Sequence, residues 1–66
     1  MCRNIKQLRR AGAPPTEEEI AAAALQFVRK VSGYRQPSRV NEEAFNTAVA
    51  EIAAATQRLL TKLVTR

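Results

Sequence analysis

The residues with the widest chemical range stand at the start of the chain. Cys2 is the sole cysteine among 66 residues, and Arg3, Lys6, Arg9 and Arg10 follow it. A thiol beside cations, near a helix amino end, is stabilised as the thiolate, which is the nucleophilic and metal-binding form. Those neighbours suit a thiol-based redox or metal-handling protein centred on Cys2. If Met1 were removed, the amine and thiol of Cys2 would together chelate a soft metal. The plainer reading makes Cys2 a small, partly buried apolar side chain at a helix start. No histidine occurs, so Cys2 has no imidazole base and a papain-like arrangement is excluded.

The carboxylates offer less. Glu17, Glu18, Glu19, Glu42 and Glu43 fall where first helical turns are expected, and helix capping explains them. Only Glu51 lies elsewhere, on a polar helix face. A metal site would need carboxylates gathered with histidines or several cysteines, and the sequence supplies neither. No catalytic residues, metal ligands or cofactor are therefore assigned, and the chain reads as non-enzymatic.

The bases fall into three groups: Arg3 to Arg10; Arg29, Lys30, Arg35 and Arg39; and Arg58, Lys62 and Arg66. Bases late in a helix suit its negative end, which accounts for Arg29, Lys30, Arg58 and Lys62. Arg35 and Arg39 lie outside the expected helices and bracket Gln36-Pro37-Ser38, with Tyr34 adjacent. A tyrosine and arginines in one loop can stack on a base or hold a phosphate. They can also pair with Glu42 and Glu43 and merely fix the loop. Arg3, Lys6, Tyr34, Arg35 and Arg39 are the candidate contacts for a polyanion or another acidic partner. Major-groove reading is not expected. The connection from Gly33 to Val40 is long for a helix-turn-helix, and the following helix starts with few base-reading groups beyond Asn46.

Two capped amphipathic helices must carry these residues. Thr16-Glu17-Glu18-Glu19 is a capping-box start. Ile20, Ala24, Phe27, Val28 and Val31 then recur at helical spacing, and Gly33 stands where a left-handed cap belongs, so the first helix spans about 17 to 32. Asn41 is the expected cap of the second helix, about 42 to 64, with Val40 and Phe45 spaced as a hydrophobic staple. Phe45, Val49, Ile52, Thr56, Leu59 and Leu63 step by four, three, four, three and four residues, an a/d seam with one polar position. The hydroxyl of Thr56 can bond the carbonyl one turn back. Upstream, Met1, Ile5 and Leu8 form a short stripe that Gly12, Pro14 and Pro15 interrupt. The expected fold is all-α: an antiparallel helical hairpin with a short N-terminal helix or extended segment packed across it.

Sixty-six residues fill one small domain, 1–66. Much of the apolar content is alanine, so the core is thin, and a homodimer or heteromeric protein contact covering Phe45 to Leu63 would add burial. No apolar run approaches the ~18 residues of a membrane span, and the basic start lacks the apolar stretch of a signal peptide. A cytoplasmic location follows by default. The net charge of +5 suits an acidic protein or weak nucleic-acid binding without choosing between them.

Several of these residues also carry a resemblance. Met-Cys-Arg-Asn-Ile-Lys at 1 to 6, Pro-Thr-Glu-Glu-Glu-Ile at 15 to 20 and Ala-Leu-Gln-Phe-Val-Arg-Lys-Val-Ser-Gly at 24 to 33 resemble a small bacterial family, the domain of unknown function 2277. Pro37-Ser38, Asn41-Glu42 and Ala44-Phe45 resemble it too. Arg9-Arg10-Ala11-Gly12 departs from the family, which tends to carry an aromatic residue there. The resemblance brings no established activity. It implies that Cys2, Arg3, Asn4 and the loop from Gly33 to Ser38 belong to the family pattern. The expected function is a small interaction module contacting an acidic macromolecule through basic residues; the alternative is the thiol chemistry of Cys2.

Thiol titration separates these alternatives. Packing alone leaves Cys2 with a pKa near ~8.5 and slow reaction with a thiol reagent, whereas redox chemistry requires a value below ~7 and fast reaction.

Overall fold

The computed structural model describes residues 7–9 and 12–63. Two helices, α1 (Glu17–Ser32) and α2 (Glu42–Lys62), pack side by side as an antiparallel hairpin. A 3₁₀ turn, Arg39–Asn41, leads directly into α2.

Local chemistry fixes both ends of α1. Thr16 is extended (φ −81°, ψ 161°), and its hydroxyl accepts from the Glu19 amide at 3.1 Å. The Thr16 amide donates to Glu19 Oε1 at 2.8 Å, which completes the capping box. Two donors that no helix can satisfy internally thus find partners. At the other end Gly33 takes φ 79°, and its amide donates to the Arg29 carbonyl at 2.9 Å. The bounds of α1 match the sequence reading because caps act within one turn.

The start of α2 departs from expectation in two respects. Asn41 occupies the cap position, yet its side chain does not cap the helix. Its Nδ2 instead donates to Ser38 Oγ at 3.1 Å, and its amide donates to the Ser38 carbonyl at 3.0 Å. The expected staple is not formed, since Val40 is 87% exposed while Phe45 is buried. Both differences have one cause. The 3₁₀ turn winds the chain before α2 begins, so Asn41 closes that turn and Val40 points outward. Downstream, α2 stops at Lys62, short of the expected 64, as Leu63 turns extended.

The core is thin, as the alanine content implied. Leu8, Ile20, Ala24, Val28 and Phe45 are the buried apolar side chains among the described residues. Val49, Ile52, Thr56 and Leu60 are half-buried along α2. Leu60, expected to flank the seam, takes the inward place, and Leu59 is 56% exposed. Val31, expected in the core stripe, is exposed because it stands in the last turn of α1 beside the connection. Thr56 Oγ1 donates to the Ile52 carbonyl at 2.7 Å, so the polar seam position is satisfied within its own helix.

The N-terminal segment is legible only in part. Gln7, Leu8 and Arg9 are not helical, and Leu8 is buried against the hairpin. It lines an interhelical groove of ≈ 230 Å³ with Phe27, Ile52, Thr56 and Leu60. The chain then turns at Gly12, φ 98°, towards Pro14 and Pro15. Met1 and Ile5, the rest of the expected stripe, lie outside the described residues.

A Cβ at Gly33 would meet no atom within 4 Å beyond its chain neighbours, so the cost of adding one comes from its positive φ. Gly33→Ala is expected to lower unfolding free energy by about 1 kcal/mol, with Gly33→Val worse and Gly33→Asn milder. Urea titration reads the difference. An unchanged midpoint for Gly33→Val removes the glycine from its capping role.

Candidate functional site

The connection between α1 and α2 gathers the basic residues that helix dipoles leave unexplained. Tyr34 is 47% exposed, and Arg35 and Arg39 are also exposed. Arg39 lies in the 3₁₀ turn. That position is at the amino side of α2, where a cation gains nothing from the dipole.

Hydrogen bonds give this loop a defined path. Arg29 works at both of its ends. Its carbonyl accepts from Gly33, and its side-chain Nε donates to the Arg35 carbonyl at 2.9 Å. The guanidinium thus reaches forward across the cap and holds the chain two residues beyond it. Next, the Tyr34 amide donates to Ser32 Oγ at 3.1 Å. Ser38 then receives the two bonds from Asn41. Clips at Ser32, Arg29 and Ser38 hold the backbone while the side chains of Tyr34, Arg35 and Arg39 face water.

The expected ion pairs are absent. Among the described residues, none joins Arg35 or Arg39 to Glu42 or Glu43. Those glutamates stand in the first turn of α2, where the positive helix end already attracts them. The loop is therefore held by hydrogen bonds to backbone and hydroxyl groups, and its charges are not consumed in holding it.

Sequence reasoning missed Arg29. Its place in the last turn had an adequate explanation in the dipole, and no local pattern distinguishes a clipping arginine from a solvated one. Other candidate contacts fall beyond view: Cys2, Arg3 and Lys6 lie outside the described residues. Among the described residues, no cluster of three or more His, Cys, Asp or Glu side chains could hold a metal. No described helix is long and apolar enough to cross a membrane.

The family model for an uncharacterized conserved protein, DUF2277, matches residues 1–66. The chain belongs to the DUF2277 family. The resemblance seen in its motifs therefore extends over the whole sequence. No curated protein and no solved structure matches the chain. The loop geometry given above is thus a description of a DUF2277 chain from its own residues.

The clip by Arg29 can be tested without changing charge. Lysine lacks the Nε branch and ends in a point charge on a flexible stem. Arg29→Lys should therefore keep α1 but loosen residues 34 to 38. Limited trypsin digestion mapped by mass spectrometry should show faster cleavage after Arg35. Equal rates for parent and variant would show that Arg29 does not restrain the loop.

Proposed function

We propose that the chain is a small cytoplasmic interaction module. It contacts an acidic macromolecular partner through Tyr34, Arg35 and Arg39, with Arg3 and Lys6 as further candidate contacts from the sequence, and it works as a homodimer. One observation carries the reading. Two arginines and a tyrosine stand exposed on a loop that other residues hold, and no carboxylate among the described residues pairs with either arginine.

The physical logic favours recognition over scaffolding. An arginine that fixes a loop is tied down, as Arg29 is. Arg35 and Arg39 are not needed for that task. A guanidinium presents a planar fork of donors that fits carboxylate or phosphate, and a preset backbone lowers the cost of ordering it on binding. Tyr34 adds a flat apolar face with a polar tip at low entropy cost.

An acidic protein is the partner proposed. Affinity capture from native lysate should then yield a discrete acidic protein that survives nuclease treatment. It should be lost when Arg35 and Arg39 are both replaced by serine. A partner that vanishes with nuclease, and whose affinity falls steeply with salt, would make nucleic acid the target, because phosphate contacts release counterions. Recovery of the same partner by the double variant would reduce the arginines to solvated surface.

A further inference from the structure

We draw no further inference here: the strongest candidate, the apolar interhelical groove that Leu8 lines with Phe27, Ile52, Thr56 and Leu60, carries nothing, because nothing in the structure shows what covers it beyond Leu8 itself.

Discussion

The single contact between α1 and α2 is what the rest of this molecule depends on. Two helices touching along one line bury little, and here alanine supplies part of even that line. Ile20, Ala24 and Val28 from one side and Phe45 from the other are the buried apolar side chains of the two helices among the described residues, with Leu8 closing the groove between them. At about 25 cal/mol per Å² of apolar surface, such a core gives a modest return. The helices must therefore be well formed by local means before they meet. The capping box at Thr16 and the left-handed glycine at Gly33 supply those means for α1. α2 has a different device, a tight turn that winds the chain into the helix without a side-chain cap.

That economy shapes the loop. A connection in a larger protein can be pinned by burying one of its side chains. Here no side chain of residues 34 to 38 is buried and only Pro37 is half-buried, and the loop is held by hydrogen bonds that start from the ends of the helices. Arg29, Ser32 and Ser38 take that role. The consequence for function is a division of labour. Backbone and small hydroxyls set the path, while Tyr34, Arg35 and Arg39 stay in water. A loop restrained in this way presents its charges at low entropy cost to whatever binds them.

The same thinness leaves apolar surface along the hairpin. Phe27 on α1 and Leu59 on α2 are each about half exposed. A hairpin has only one inner line, so any second apolar row on either helix must face solvent or another molecule. The chain thus offers two kinds of surface: charge gathered at the loop end and apolar rows along the sides. They differ in how they respond to salt. Contacts made by exposed arginines are screened as ionic strength rises, whereas burial of apolar side chains is not. The two surfaces can therefore act independently in one small molecule.

The sequence by itself determined the helices. Thr16 with Glu19, and Gly33 after Arg29 and Lys30, define α1 because capping is a contest within four or five neighbouring residues. The bond from Thr56 to Ile52 was legible for the same reason. The seam was legible in outline, since period alone brings Phe45, Val49, Ile52 and Thr56 to one side. Only the tertiary structure decided where that seam ends, because Leu59 and Leu60 differ by one position and packing in the hairpin half-buries Leu60 while leaving Leu59 exposed. It also decided what Asn41 and Val40 do. Their spacing fitted a cap and a staple, but the path of the connection turned one towards Ser38 and the other into water. The candidate site divides along the same line. Arg35 and Arg39 stood out in the sequence because no helix end explained them. Arg29, which holds their loop, did not, since its bond spans six residues and exists only once the chain has turned back at Gly33.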